Sequence, residues 1–429
     1  MAKVYRRRWP GAGSPGLSRR DRAPCDYEAY LPDLLEGRSF LLDGTVAADV
    51  ADAESAIARL NGEAASLLDT EALAMLLLRA ESVASSWIEG LEVGGRRLLR
   101  AEAARALGQR SGDVIAEEVL GNIDAMTWAV ESLAAADEVT VAGVLEAHRL
   151  LFRGTRLEDH GGRIREQQNW IGGSAYNPCT AAFVPPPPEF IESLLQDLCA
   201  FCNSDDLPAV NQAAIVHAQF ETIHPFIDGN GRTGRALIHV ILRRRNLAPR
   251  VLPPVSLVLA TWSRAYVQGL TATRYRGVPS SSAARAGLNQ WLGLFAAACG
   301  RSVEDALDFE DRVQKVQVRW RSQLGRVRAG SAAELLVERL PGAPVVTVRT
   351  AADLIDRSYQ QTNEAIRRLE DAGILTRTTV GRRNRAFEAR AILGAFNDLE
   401  RQLASPQGNP RASPPSRRVP GRRPRSRRA

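Results

Sequence analysis

The sequence predicts a mainly α-helical fold. Residues 29–110 are rich in Ala, Leu, Glu and Arg, and apolar residues recur at helical spacing on both sides of a glycine-rich segment at 224–235. Features typical of β-structure are confined to a turn-rich stretch at 161–188 and an alternating stretch near Gly381. We therefore expect a helical core that carries a β-hairpin flap, with an N-terminal helical extension and a C-terminal winged helix-turn-helix domain.

Composition and pattern divide the 429-residue chain into five segments, and 45% apolar residues are enough for real cores. The formal charge of +7 comes from the two ends, because the last segment holds eight arginines and no acidic residue. The segments are a disordered basic N-terminus (1–28), an N-terminal helical region (29–113), the core domain (114–310), the winged helix-turn-helix domain (311–402) and a disordered Arg/Pro-rich tail (403–429).

The five cysteines are scattered and do not predict a disulfide framework. Cys199 and Cys202 form a C-x-x-C pair, but they lie in a helical run without a second pair, so buried thiols are the favoured interpretation. No apolar run is long enough to span a membrane, and no signal-peptide core follows the basic N-terminus. We therefore expect a cytoplasmic protein without a membrane partner.

The segment His224–Arg235, HPFIDGNGRTGR, concentrates side chains that suit phosphate chemistry. It is predicted to be a turn between two helices, in which glycines allow close backbone approach and the amides of the second helix favour an anion. Arg232 and Arg235 suit phosphate oxygens, and Asp228 is a ligand that Mg²⁺ accepts beside phosphates. The imidazole of His224 can accept a proton from a hydroxyl. A surface corner with solvated side chains is the simpler alternative.

These residues resemble the signature of the Fic family, H-P-F-x-D/E-G-N-G-R-x-x-R, and every fixed position matches. Members of that family are mostly helical enzymes that move AMP from ATP to a protein hydroxyl with Mg²⁺. The resemblance implies that His224 is the catalytic base and that Asp228 is the metal ligand. It implies that Asn230 and nearby amides hold the α-phosphate, Arg232 the triphosphate and Arg235 the γ-phosphate. The nucleotide-binding set is Asp228, Gly229, Asn230, Gly231, Arg232, Thr233, Gly234 and Arg235.

A second motif lies upstream, where Ser85, Glu89 and Gly90 match the inhibitory pattern S/T-x-x-x-E-G of many Fic proteins. Ser85 and Glu89 are four residues apart, which places them on one face of a predicted helix. The resemblance implies that Glu89 pairs with Arg235 and keeps it from the γ-phosphate, because carboxylate and guanidinium form a bidentate contact. An exposed Ser and Glu on an amphipathic helix is the alternative without the downstream turn.

The stretch before four consecutive prolines resembles the Fic flap, a β-hairpin beside the active site. An extended segment of a protein substrate could dock on residues 163–184 by strand addition and present its hydroxyl to His224. The expected partners are therefore ATP and a protein substrate, with a homodimer as one option for assembly.

The C-terminal domain could contact DNA through residues 358–390, which include a predicted recognition helix and a wing. The helix offers polar and charged side chains that suit base edges or phosphates, and the wing at 376–390 is rich in arginine. Winged folds also serve as docking modules. The helix residues are Ser358, Tyr359, Gln360, Gln361, Asn363 and Arg367.

The sequence thus predicts an autoinhibited protein adenylyltransferase that modifies a Ser, Thr or Tyr hydroxyl. One alternative is removal of AMP, with Glu89 positioning water. A second is phosphate transfer, as in Fic relatives that carry lysine where this chain has Gly231. A third is a DNA-binding regulator whose Fic core senses nucleotide without transferring it.

Overall fold

The computed structural model describes residues 1–11, 16–64, 70–106, 108–109, 112–380 and 384–404. The chain forms two compact units. The first contains residues 1–55, 124–247 and 264–297, and the second contains residues 56–123, 248–263 and 298–429. No helix among the described residues is both long and apolar enough to cross a membrane.

Helices dominate the described chain, which confirms the predicted mainly α fold. The elements in order are β1 (Lys3–Trp9), α1 (Arg19–Arg22), β2 (Cys25–Leu31), α2 (Gly44–Ala64), α3 (Thr70–Ile88), α4 (Gly95–Ala106), α5 (Val114–Trp128), α6 (Val141–Phe152), α7 (Ile191–Cys202), α8 (Ala209–Ile223), α9 (Asn230–Arg244), α10 (Val255–Thr261), α11 (Ser263–Ala272), α12 (Ser282–Leu324), α13 (Ala332–Arg339), β3 (Val345–Val346), α14 (Val348–Ile355), α15 (Tyr359–Asp371), β4 (Thr376–Val380), β5 (Asn384–Glu388) and α16 (Arg390–Ala404).

Two helices at the centre of the first unit, α8 and α9, are buried along nearly their whole length. Apolar side chains occur on several faces of each helix, as expected for a helix that is surrounded by others. The indole of Trp291 in α12 packs in the same core and donates a hydrogen bond of 2.8 Å to the carbonyl of Ala214. The short connection between α8 and α9 is thereby attached to a rigid support on both sides.

The N-terminal residues form an antiparallel hairpin of β1 and β2. The prediction that residues 1–28 are disordered is therefore wrong for most of the residues described there. The basic composition conceals a period of two, which places Tyr5 and Trp9 on one face. Their rings contact Phe190 and Trp170 at centroid distances of 5.1 and 5.5 Å, and this burial of aromatic surface stabilises the hairpin.

The hairpin is attached to the flap by a disulfide between Cys25 and Cys179, whose Cα atoms are 5.7 Å apart. The expectation of no disulfide framework was thus wrong for this pair. The backbone N–H of Tyr30 donates to the carbonyl of Val184 at 2.9 Å. Cys25 and Tyr30 are five residues apart, and so are their partners Cys179 and Val184. Strand β2 therefore runs parallel to residues 179–184.

The flap itself forms less β-structure than the sequence predicts. Its described residues contain a single antiparallel bridge, between Ile171 and Phe183. Gly172 and Gly173 both have positive φ and turn the backbone, and Pro178 begins a short 3₁₀ turn. These features prevent a longer ladder, because the backbone on either side of the bridge is not extended.

The expected boundary between residues 310 and 311 falls inside α12, a helix of 43 residues. After it, α13, α14 and α15 are followed by a sheet with the order β3-β5-β4. The helices and the hairpin lie where the sequence placed them, but a winged helix-turn-helix domain stays a prediction. Residues 381–383 of the expected wing and the tail from 405 lie outside the described residues, and α16 includes the first two residues of that tail.

Candidate active site

The turn between α8 and α9 reverses the chain through two residues with left-handed backbone. His224 ends α8 with φ 48° and ψ 61°, and Gly229 precedes α9 with φ 77°. A Cβ atom on Gly229 would lie 2.8 Å from Cδ2 of Leu151 and 2.9 Å from Cε2 of Phe152. Only glycine combines this conformation with this close approach, so the residue is required for the shape of the turn.

Asn230 fixes the turn from inside. Its Oδ1 accepts a hydrogen bond from the backbone N–H of Phe226, and its Nδ2 donates to the carbonyl of Phe226, both at 2.9 Å. The resemblance assigned Asn230 to the α-phosphate. In the structure its side-chain amide holds the backbone of Phe226 at the turn, and one N–H of Nδ2 is not used in these two bonds.

His148 in α6 supports the turn, although sequence reasoning did not identify it. Its ring stacks on Phe226 at a centroid distance of 3.6 Å and an interplanar angle of 7°. Its Nδ1 accepts from the N–H of Gly162 at 2.9 Å, and its Nε2 lies 3.0 Å from the carbonyl oxygen of Asp228. Because a neutral ring donates from one nitrogen only, Nε2 carries the proton. Burial lowers the pKa of His148 to about 4, so the ring is neutral near pH 7.

Two side chains from the start of the flap hold the carbonyl of His224. The Nε of Arg165 donates to it at 2.9 Å, and Nδ2 of Asn169 lies within 3.3 Å. Arg165 also donates to the carbonyls of Gln167 and Pro186, and its buried position lowers its pKa to about 10. The guanidinium therefore remains charged at neutral pH and connects the flap to the turn.

The two arginines of the turn are buried in the first helical turns of α9. Arg232 has its guanidinium carbon 5.2 Å from the centroid of the Phe152 ring, and its Nη2 lies 3.6 Å from Oδ1 of Asp228. Arg235 lies deeper, and its Nη1 is 3.5 Å from the hydroxyl of Tyr266. That hydroxyl is 2.7 Å from Nε2 of His217, which the sequence also did not identify as part of the site.

His217 is neutral and adds no positive charge beside the guanidinium groups of Arg232 and Arg235. Burial and the nearby guanidinium of Arg235 lower the pKa of His217 to about 3. Gly234 packs against this ring, since a Cβ there would lie 3.1 Å from Nδ1 of His217. Gly231 and Thr233 lie buried in the same helical turns. The eight residues of the expected nucleotide set are therefore brought together on one support.

His224 and Asp228 differ from these residues in being accessible. The side chain of His224 is 20% exposed, and that of Asp228 is 52% exposed. Oδ1 of Asp228 accepts the N–H of Gly229 at 2.6 Å, which leaves the second carboxylate oxygen at the surface. The site thus presents a candidate proton acceptor and a carboxylate beside buried guanidinium groups.

The donor set at Asp228 fits Mg²⁺ held together with a nucleotide. Among the described residues, no group of three or more His, Cys, Asp or Glu side chains is arranged to hold a metal ion. Mg²⁺ commonly takes one or two carboxylates and completes its shell with substrate phosphates and water. A single exposed carboxylate is therefore the protein contribution that such an ion requires.

The residues of the second motif lie in the second unit. Ser85 is buried in α3, whereas Glu89 is exposed one residue beyond the end of that helix. Ser85 therefore lies within the helix, and Glu89 lies just past its end. Gly90 has φ 80°, and its N–H donates to the carbonyl of Trp87 at 2.9 Å, which closes the helix.

Comparison with known proteins gives two matches to family models. Residues 138–242 match the Fic/DOC family, and residues 47–131 match the Fic/DOC family N-terminal model. The turn at 224–235 lies within the first match. The motif at 85–90 lies within the second.

Similar proteins include "Protein adenylyltransferase Fic" of Drosophila willistoni, 37% identical over 139 residues, which cover 32% of this chain and 26% of that protein. The protein of the same name from Drosophila erecta is 35% identical over the same length and the same shares. The chain thus spans about a quarter of the length of the curated relatives it matches.

Among solved structures, a Fic family protein from Desulfovibrio desulfuricans G20 is similar with a TM-score of 0.49 and 20% identity, over 82% of this chain and 97% of that one. The two matches to family models are separated by only a few residues. The chain thus contains a segment that matches the Fic/DOC family, preceded by a segment that matches the N-terminal region of that family.

Proposed function

We propose that this protein transfers AMP from ATP to a hydroxyl of a protein substrate. The observation that carries the proposal is the arrangement of the α8–α9 turn. It places the accessible imidazole of His224 and the buried guanidinium groups of Arg232 and Arg235 on one rigid support. A base and cations at fixed positions are what transfer of a phosphoryl-type group requires, because catalysis depends on positioning and on charge stabilisation.

In this reaction the imidazole of His224 accepts the proton of the acceptor hydroxyl. The hydroxyl oxygen forms a bond to the α-phosphorus of ATP, and the bond from that phosphorus to the bridging oxygen breaks. Pyrophosphate leaves and carries the electron pair. Arg232 and Arg235 hold the β- and γ-phosphates in line, and the amides at the start of α9 face the α-phosphate. Asp228 would hold Mg²⁺ beside the phosphates, and the ion would neutralise part of their charge.

The proposal includes autoinhibition by Glu89. The match of Ser85, Glu89 and Gly90 to the inhibitory pattern supports it, as does the exposed position of the Glu89 carboxylate at the end of a helix. A carboxylate that engages Arg235 would compete with the γ-phosphate for the same donors. ATP would then bind without its α-phosphorus in line with the acceptor.

Label transfer from ATP tests the reaction. With Glu89→Gly protein and Mg²⁺, label from the α-phosphate is expected on protein, and label from the γ-phosphate is not. His224→Ala in the same background is expected to lower the rate at least ~100-fold, because general base catalysis contributes on that order. His160→Ala is the matched control, since this histidine is exposed in a short 3₁₀ turn.

Other outcomes would select a different reaction. Transfer of γ-label would indicate a kinase-like reaction, and loss of AMP from modified protein would indicate hydrolysis. The Glu92→Gly variant serves as the control for Glu89→Gly, because Glu92 is exposed in the same connection. An equal increase in AMP transfer in both variants would remove the argument that Glu89 is a specific inhibitory residue.

The remaining expectations stay predictions. They are docking of a protein substrate on residues 163–184, contact of residues 358–390 with DNA, a homodimer and a cytoplasmic location. The disulfide between Cys25 and Cys179 bears on the last of these, because such bonds are rare in reducing compartments.

A further inference from the structure

Glu221 in α8 lies beside the proposed base. Its Oε2 is 3.8 Å from Nδ1 of His224, and its side chain is only 10% exposed. The left-handed backbone at His224 returns the imidazole towards the preceding turn of α8, which brings the two side chains together. The distance exceeds that of a hydrogen bond but lies within the range of an ion pair.

Arg274, just after α11, interacts electrostatically with this carboxylate. Its guanidinium carbon lies 3.6 Å from the ring centroid of Phe183, a flap residue. Burial lowers the pKa of Arg274 to about 10, and the negative charge of Glu221 opposes that change. Arg274 is therefore cationic at neutral pH. A cation near a carboxylate favours the ionised form of that carboxylate.

The other titratable groups near these side chains can also be placed. Tyr30 of β2 and Tyr266 of α11 interact electrostatically with Arg274. Burial raises the pKa of Tyr30, so its hydroxyl is neutral at physiological pH. On the far side of His224, Arg165 contacts the backbone carbonyl and not the ring. Among the ion pairs that the structure defines, Glu221 is thus the acidic residue that faces Nδ1 of His224.

We propose that Glu221 is a positioning residue that sets the tautomer and the basicity of His224, and that Arg274 keeps Glu221 charged and connects it to the flap. A carboxylate beside Nδ1 favours the neutral ring that carries its proton there. The lone pair of Nε2 is then left to accept a proton from the acceptor hydroxyl. The same carboxylate stabilises the imidazolium that forms. This inference rests on the proposed transfer reaction.

The pH profile of kcat tests the inference in whichever of the wild-type and Glu89→Gly proteins transfers AMP faster. Activity requires unprotonated His224, so the acidic limb of the profile follows its pKa. In Glu221→Gln, loss of the carboxylate is expected to lower kcat about 10-fold and to move the acidic limb about one pH unit down. In Arg274→Gln, Glu221 loses the cation that keeps it charged, so the acidic limb is expected to move down as well.

The downward shift of the acidic limb in both variants distinguishes this role from a purely structural one. Damage to packing would lower the activity of both variants without moving either acidic limb. Glu192→Gln, an exposed position on α7, is the matched control and is expected to leave the profile unchanged. Acidic limbs that do not move would overturn the inference while leaving the transfer reaction intact. A parent protein that transfers no AMP would instead contradict the proposed function.

A second readout does not need activity. Nitrogen chemical shifts of protein with ¹⁵N-labelled histidines report the tautomer of each ring, and His224→Ala assigns the signal among the five histidines. The neutral ring of His224 is expected to carry its proton on Nδ1 in the wild type, and on Nε2 for a larger fraction in Glu221→Gln. A wild-type ring already protonated mainly on Nε2 would overturn the inference.

Discussion

Replacement of His148 by phenylalanine tests how the turn is supported. Phenylalanine keeps a ring that can stack on Phe226, but it removes the acceptor for the N–H of Gly162 and the donor to the carbonyl of Asp228. The N–H of Gly162 and the carbonyl of Asp228, both in partly buried hydrogen bonds, then lose their partner. At about 1–3 kcal/mol for each unsatisfied group, we expect His148→Phe to lose roughly 3 kcal/mol of the free energy of unfolding at neutral pH.

The pH dependence of that loss follows from the pKa of His148. The folded-state value of about 4 lies below the unfolded value near 6.5, and burial is the main cause. The contribution of neutral His148 to stability is therefore complete above about pH 6.5 and is lost as the pH falls towards 4. The difference corresponds to about 3 kcal/mol in full, of which about 2 kcal/mol is lost between about pH 7 and pH 4.5.

Urea denaturation of both proteins at these two pH values is the assay. Stability that depends on other groups, including buried His217, falls in both proteins and cancels in the comparison. We expect the stability gap between wild type and His148→Phe to narrow by about 2 kcal/mol at the lower pH. A gap that is the same at both values would refute the idea that a neutral, buried imidazole supports the turn.

Three further predictions concern the turn and the flap. Gly229→Ala is expected to lower the free energy of unfolding by about 2–4 kcal/mol and to abolish AMP transfer, because it combines positive φ with overlap. Gly300→Ala, in a helix with open space around it, is expected to gain up to about 1 kcal/mol, and an equal loss at both positions in thermal unfolding would contradict the reasoning. Asn230→Ala leaves the N–H of Phe226 without its acceptor and the carbonyl of Phe226 with Asn169 as its remaining side-chain donor, so we expect a drop in kcat of about 10-fold with a smaller change in melting temperature, and an unchanged kcat would show that the Asn230 contacts are dispensable. Cys25→Ser is expected to lower the melting temperature of oxidised protein by several degrees, to the value that a reducing agent gives for the wild type, and a wild type insensitive to reductant would count against the disulfide.

Much of the site could be predicted from the sequence because its side chains lie close together in the chain. His224, Asp228 and Arg235 fall within one turn, where backbone geometry alone brings them together. His148 and Arg165 could not be found in this way. Their partners are backbone groups of Asp228 and His224, and nothing in the sequence marks a distant side chain that binds a backbone carbonyl.

The errors in the fold have a similar cause. The spacing of Tyr5 and Trp9 was visible in the sequence, but the arginines between them favoured an interpretation as disorder. The aromatic rings that cover this face come from distant parts of the chain, so the sequence alone did not reveal them. Cys25 and Cys179 are 154 residues apart, so their pairing depends on tertiary structure. Glu89 lies one residue beyond the end of α3, a boundary that its spacing from Ser85 did not reveal.

The central claim is that the α8–α9 turn binds ATP and transfers its AMP moiety by means of His224. Intact-mass spectrometry of Glu89→Gly protein after incubation with ATP and Mg²⁺ tests it most directly. We expect the mass of one or more AMP groups to be added, and none in the Glu89→Gly/His224→Ala protein. Addition of phosphate alone, an unchanged mass, or the same AMP addition without His224 would contradict the account.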